Sequence, residues 1–454
     1  MKGGTVAMTL ADMGLDGLVA ELMTRDRVPG LTIGILDGDE TSFAAYGVTN
    51  LETGVPVIPE TVMQIGSISK VFLGTLVMGL VEEGRLELDR PIVEILPGFR
   101  LADDAATRAI TIRHCLTHMT GFEGDRFDDH GRGDDALAHC VDGYATLAQQ
   151  LPPATTFSYC NTGFNLVGRV VEVVLDQPYE QAMRERVFEP LGLARATFFA
   201  DEAILQHNAA GHLTPPDGED TVARPWPLAR NTNPAGGIIT DVAELLRFAA
   251  AHLGLIDLSA PFPSPATRLA MRERQVEITA TTGRGLTWSL ERRADEPVVG
   301  HGGATNGFKA SLLLLPERGF AIAMLTNGEN GVYTERDIER AILSKRFGIE
   351  DTDPEPIALA RGVAGTVAGQ YHAMLAELTV AGDDDGLTVT TVGINPFTHE
   401  RNTPLTAPIA PVGDDTFIVS EGVRKGTTFQ FLPDAKGRFT MVRAGGRVAL
   451  RVDS

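Results

Sequence analysis

Strand-type patterns stand at both ends of the first 350 or so residues of this chain, and a long helical stretch separates them. Two apolar runs, Leu31–Leu36 and Thr41–Val48, flank the turn-forming Asp37-Gly38-Asp39 and read as a hairpin. Strand patterns return only at Gly285–Arg292, Phe308–Leu315 and Phe320–Leu325. From Ser67 to about Leu255 the periodicity is helical, as in Val71–Glu83 closed by Gly84, Asn161–Val174 and Asp241–His252. Further helices are expected over residues 9–26 and Thr334–Phe347. One sheet completed by both ends, with the helical part packed on it as a second lobe, accommodates this order. The expected fold is therefore α/β, in the form of an α+β sandwich, with a groove between lobes as the natural place for a small-molecule site.

The texture changes after Gly348. The stretch Gly348–Gly369, with EDTDPEPIA, reads as a linker, and short β-type runs follow at Glu377–Val380, Leu387–Val392, Thr416–Ser420, Thr427–Leu432, Phe439–Arg443 and Arg447–Val452. Such runs, separated by Gly/Asp turns, indicate a small antiparallel β-barrel or sandwich. The expected division is a catalytic unit over 1–350, a linker over 351–363 and a barrel over 364–454.

Length and charge narrow the function. At 454 residues the chain exceeds what one core usually supports. Its formal net charge of −21, with no Lys/Arg cluster to offset it, argues against nucleic acid and anionic membranes as partners. The N-terminus lacks the apolar run of a signal peptide, and no segment approaches a membrane span. Three scattered cysteines (Cys115, Cys140 and Cys160) give no disulfide framework, so a cytoplasmic location is expected.

Three short motifs carry chemistry. In Gly66-Ser67-Ile68-Ser69-Lys70, at the start of an apolar helix, Ser67 and Lys70 share a face because three residues make nearly one turn. A serine hydroxyl needs a neighbour to take its proton, and a buried lysine can be that base. In Tyr159-Cys160-Asn161 the tyrosine can relay a proton to a leaving group, and Asn161 can orient Lys70 or donate to a substrate carbonyl. Their structural alternatives are a packed ring and a helix N-cap. In Gly300-His301-Gly302-Gly303-Ala304, between two strand patterns, glycines let a substrate approach a strand edge. The backbone N–H groups of Ser67 and Ala304 are candidate oxyanion donors. Alone, this third motif would read as a plain glycine turn.

Together and in this order, the Ser-x-x-Lys, Tyr-x-Asn and His-x-Gly sets resemble the serine β-lactamase and penicillin-binding-protein superfamily. The nearest likeness is to its class C-like branch of esterases and D-aminopeptidases, where Lys-Thr-Gly is commonly His-x-Gly. Ile65-Gly66, the run Ile110–Gly121, Pro234-Ala235-Gly236-Gly237 and Gly285-Leu286-Thr287-Trp288 are also similar, over about residues 10–346. The resemblance implies a β-lactamase-like sheet with a helical lobe. It makes Ser67 the acyl-enzyme nucleophile, Lys70 its base and Tyr159 a proton shuttle. Asn161, His301, Gly303 and Ala304 would bind substrate. The last strands are similar to the lipocalin-like barrel appended in some members. The class A deacylating glutamate has no identifiable counterpart, and Cys160 stands where a serine or small residue is common.

Other conspicuous residues have plainer expectations. His114 and His118 are four apart without the Glu of His-Glu-x-x-His, so no metal and no cofactor are expected. Trp226 and Trp288 suit a groove or a core equally. Among Arg443, Arg447 and Arg451, one could reach the cleft and hold a carboxylate, while most would be solvated. The expected partner is a small-molecule or peptide acyl substrate; the sequence leaves the oligomeric state open. Three functions compete: hydrolysis of esters or amides, including D-amino-acid peptides, through acyl-Ser67; acyl transfer that cyclises a peptide, as in penicillin-binding-protein-type thioesterases; and a non-catalytic binding or scaffold protein.

Overall fold

The computed structural model describes residues 10–215, 218–395, 400–422 and 424–452; the first nine residues, where a leader was sought, lie outside them. Eight strands form one antiparallel sheet. Its spatial order is Glu40–Gly47, Gly30–Asp37, Phe320–Thr326, Phe308–Leu315, Glu296–Thr305, Ser289–Arg293, Thr282–Arg284 and Val276–Glu277. The early hairpin joins the late strands where Leu31 faces Thr326 and Asp37 faces Phe320.

Alternation along these strands feeds two cores, because successive side chains leave opposite faces. Ile33, Ile35, Phe320, Ile322 and Met324 join Val19, Leu22, Ile338 and Ile342 from the helices Asp16–Asp26 and Gly331–Phe347. Leu36, Ala321, Ala323 and Leu325 face the larger core shared with the helical lobe. At the centre of that lobe runs the helix Ser69–Glu82, in which every residue from Ser69 to Leu80 is buried. A helix that is apolar on all sides belongs in an interior, and this one carries Lys70 there.

Two expectations need correction. Gly300–Ala304, expected between two strand patterns, itself lies inside the strand Glu296–Thr305. Glycines carry no strand signature, so the sequence hides it. The run Gly285–Arg292 is not one strand. Its first four residues form the turn between the strands Thr282–Arg284 and Ser289–Arg293, in which Gly285 N–H donates to Trp288 O (2.9 Å) and Thr287 has φ +72°.

The C-terminal strands close into an eight-stranded barrel from Gly369–Ala373 to Arg447–Arg451. Six were legible in the sequence. The others, Gly369–Ala373 and Leu405–Pro411, begin at a glycine and contain two prolines respectively, residues that argue against a strand. The segment 351–360 has no regular structure, and the short helix Val363–Val367 sends Ala364 and Val367 into the barrel core. Tyr371, Val389, Phe417, Phe429, Phe431 and Val442 pack the interior. Among the described residues no helix is long and apolar enough to cross a membrane.

Candidate active site

Ser67 sits on the 3₁₀ turn Gly66–Ile68 that enters the buried helix. Lys70 is fully buried one turn on, and its Nζ lies 2.9 Å from Ser67 Oγ. Nζ also donates to the carbonyl of Ala235 at 2.5 Å, which gives the Pro234–Gly237 segment a role in aiming the amine. Burial lowers the Lys70 pKa; the neighbouring Tyr159 and Asp125 oppose this and Arg447 adds to it. A lysine so placed loses its proton more readily than one in water and can then take the serine's.

Close backbone approach builds the second element. Gly66 has φ +50°, and a Cβ on it would stand 2.5 Å from the Ala304 nitrogen. A Cβ on Gly303 would stand 1.9 Å from the Ile65 carbonyl oxygen. Only glycine at both positions lets the strand Glu296–Thr305 lie against the Ser67 turn. The two-residue turn Asn306-Gly307 makes Thr305 and Phe308 the flanking pair, so the next pair, Ala304 and Lys309, falls in the wide position of the ladder. The Ala304 N–H then points off the strand toward Ser67, where it can serve a developing oxyanion with the Ser67 N–H.

The third element spans the two units. Asn161 is buried, and its Nδ2 donates to Asp125 Oδ1 (2.6 Å) rather than to Lys70. It stands at the N-cap of the helix Thr162–Leu175 without a side-chain capping bond. Asp125 in turn receives Arg447, which donates from Nη2 to Oδ1 (3.0 Å) and from Nε to Oδ2 (2.5 Å). Arg447 comes from the barrel, and its guanidinium lies 4.9 Å from the centre of the Tyr159 ring. The same barrel turn accepts the Tyr159 N–H at Gly446 O (2.9 Å). Of the three late arginines, Arg447 reaches the cleft and holds the carboxylate of Asp125. Arg443 and Arg451 are partly exposed, and they donate to Phe157 O (3.2 Å) and Thr366 O (3.0 Å).

His301 is buried beside the cleft. Its Nδ1 donates to Gly302 O (2.6 Å), which leaves Nε2 a bare acceptor with no partner. Burial first, and then the charges of Arg284 and Lys70, push its pKa down to about 3, so it is neutral at physiological pH. Arg284 also lines the cleft; it is bonded to Ser289 Oγ while its Nε has no partner. The cleft measures about 670 Å³ and is bounded by Ser67, Tyr159, Asn161 and Gly302–Ala304 on one side and by Leu375, Ile394, Gly446 and Arg447 of the barrel on the other.

The structure thus brings all seven expected residues to one place. The sequence reading missed Asp125 and Arg284, which have no local motif, and it singled out Ala235 only as part of the run Pro234–Gly237, without a role. Trp288 is fully buried and Trp226 donates to Ala209 O (2.9 Å), so neither needs a substrate to explain it. His114 closes a capping box with Thr111. Cys160 is a packed thiol that accepts from Gly163 N–H (3.3 Å), and burial raises its pKa to about 11.

Comparison with known proteins agrees with this geometry. The Beta-lactamase family profile matches residues 15–345. Penicillin-binding protein 4 of Amycolatopsis lactamdurans is 37% identical, over 76% of this chain and 94% of its own. Unguisins hydrolase ungD' of Aspergillus campestris is 23% identical, over 82% of this chain and 78% of its own. The crystal structure of SurE shares the fold with a TM-score of 0.74 at 24% identity, covering 97% of this chain and 98% of that one, barrel included. The match across the whole sheet-and-lobe unit and the close bacterial relative lead to one conclusion: this chain belongs to the beta-lactamase family of serine hydrolases.

Proposed function

We propose that this protein transfers acyl groups through a covalent ester on Ser67 and hydrolyses ester or amide substrates. The observation that carries the reading is the 2.9 Å contact between Ser67 Oγ and the amine of a fully buried lysine at the mouth of a cleft. Lys70 takes the serine proton as Oγ attacks the acyl carbon, and the N–H groups of Ser67 and Ala304 receive the oxyanion. Tyr159 delivers a proton to the leaving group, and water then attacks the acyl-enzyme. Arg284, a cation lining the cleft, suits acyl substrates that carry a carboxylate, small molecules or peptides alike. The relative named for unguisin hydrolysis fits this class of reaction.

Acyl transfer to an amine, including peptide cyclisation, is the second reading. The cleft continues along Leu375, Ile394 and Gly446, which gives an acceptor chain a wall to lie on. Intact-mass screening against esters, D-amino-acid amides, β-lactams and peptide thioesters tests both readings. A mass increase that disappears in Ser67→Ala is expected with at least one donor, and the released product, acid or amide, separates hydrolysis from transfer. No adduct with any donor would leave a non-catalytic binding protein.

A further inference from the structure

Tyr159 is held on several sides by one residue that the proposed chemistry does not use. His118 is wholly buried and adopts φ +59°, a left-handed conformation that histidine, asparagine and aspartate tolerate better than other non-glycine residues. Its carbonyl accepts the N–H of Ser158 at 3.1 Å, and its Nδ1 accepts the N–H of Cys160 at 2.9 Å. Between those two residues stands Tyr159, whose ring stacks on the imidazole with centroids 4.3 Å apart and planes 23° apart. Phe157 and Phe164 pack against the imidazole at 5.7 and 5.0 Å and fix its plane. An amide N–H can point only at an unprotonated nitrogen, so Nδ1 is bare and the ring hydrogen is on Nε2, where it has no partner. Leaving a buried N–H unpaired costs about 1–3 kcal/mol. An apolar ring would remove that cost but strand the Cys160 N–H instead, so what the imidazole adds to packing is its acceptor.

We propose that His118 is a positioning residue for Tyr159. Its imidazole face sets the plane of the phenol and its Nδ1 sets the backbone on the C-terminal side, so together they aim the phenol oxygen at the Ser67–Lys70 pair. This rests on the acyl-Ser67 reading above. Burial first, and then the nearby charges of Arg284 and Lys70, hold the His118 pKa well below its usual value, so the support does not switch off in the working range.

Two substitutions separate the two contacts. Asn at 118 tolerates the positive φ and can offer an acceptor to Cys160 N–H, but loses the stacked ring. Phe keeps a ring and loses the acceptor. A phenol displaced by about 1 Å is expected to cost on the order of 10²-fold in turnover. For each variant the expected result is a loss of about 10- to 100-fold in kcat on alkyl esters or amides, whose leaving groups need a proton. Activated aryl esters should lose no more than about 3-fold, and KM should stay nearly constant, since the effect is confined to proton delivery. In a Tyr159→Phe background, His118→Asn should add little, because the group it aims is gone. Circular dichroism confirms folding. If neither variant folds, imidazole ¹⁵N NMR of the intact protein decides: a bare Nδ1 with protonated Nε2 supports the assignment, and the opposite tautomer overturns it. Equal losses on both donor classes, or full multiplicative loss in the double variant, would overturn it as well. A fully active Ser67→Ala would instead remove the acyl-enzyme reading itself, so the two failures are distinguishable.

Discussion

The helix that carries Lys70 and the barrel turn that carries Arg447 meet at one cleft, yet they are secured in opposite ways. The helix is enclosed along its first twelve residues, Ser69 to Leu80, so the Ser67–Lys70 distance can change only if the lobe core changes with it. The turn Ala444–Arg447 has two glycines with positive φ, Gly445 and Gly446, and reaches the site through few contacts. These are the Arg447–Asp125 ion pair, the guanidinium over Tyr159 and the backbone bond to Gly446 O. Proton transfer needs a fixed short distance, and the core supplies it. Orientation of Asn161 and Tyr159 is shared with a separately closed barrel, which can change without disturbing the nucleophile.

Substitutions on the two sides should therefore differ in size. On the core side, Lys70→Ala is expected to cut acylation by roughly 10⁶-fold, the scale seen when a hydrolase loses its nucleophile or base. Burst kinetics with a chromogenic ester, together with the mass of the enzyme after mixing, would measure it. A Lys70→Ala protein that still acylates quickly would place the base elsewhere and erase the contrast. On the barrel side, Asp125→Ala removes the group that ties Asn161 to Arg447, and about a 10- to 100-fold loss in kcat/KM is expected. The same substitution strands the Arg447 charge in a mostly enclosed place, so barrel docking should weaken as well. Ser158→Ala is the control: it removes the docking bond from Val448 N–H (3.2 Å) without touching Asn161, and its loss should be small.

What the sequence disclosed follows the same division. Ser67 and Lys70 were legible because a helix places residues three apart on one face. The central strands were legible from their continuous apolar runs. The Asp125–Arg447 pair was not, because its members are 322 positions apart and neither stands in a motif. Asp125 is one acid in a stretch that also holds Asp128, Asp129, Asp134 and Asp135, where charge alone singles out none. That Gly300–Ala304 is itself strand was hidden because glycine carries no strand signal, and Gly303 is there for the close approach of Ile65, a tertiary demand that overrides strand preference. The barrel strand Leu405–Pro411 was missed because Pro408 and Pro411 weaken its pattern while the closed ladder still takes it in.

The smallest effect sharpens the comparison most, because it reads the barrel's influence through the core's own lysine. Acylation should rise with pH as Lys70 loses its proton, along a limb below the ordinary lysine range, because burial lowers the pKa. The ionisable groups acting on that amine are Tyr159 and Asp125, which raise its pKa, and Arg447, which lowers it. Arg447→Gln removes the cation and leaves the Asp125 carboxylate without its counter-charge. Both changes favour the protonated amine, so the pKa moves up and the ascending limb moves to higher pH. At a pH below the limb the variant should be slower than the parent, and well above it the two should converge once the difference in orientation is allowed for. The measurement is the pH profile of kcat/KM for a small activated ester, which depends little on leaving-group protonation. A limb that stays in place would show that the barrel acts on geometry alone; a limb displaced toward acid would mean that another charge governs Lys70.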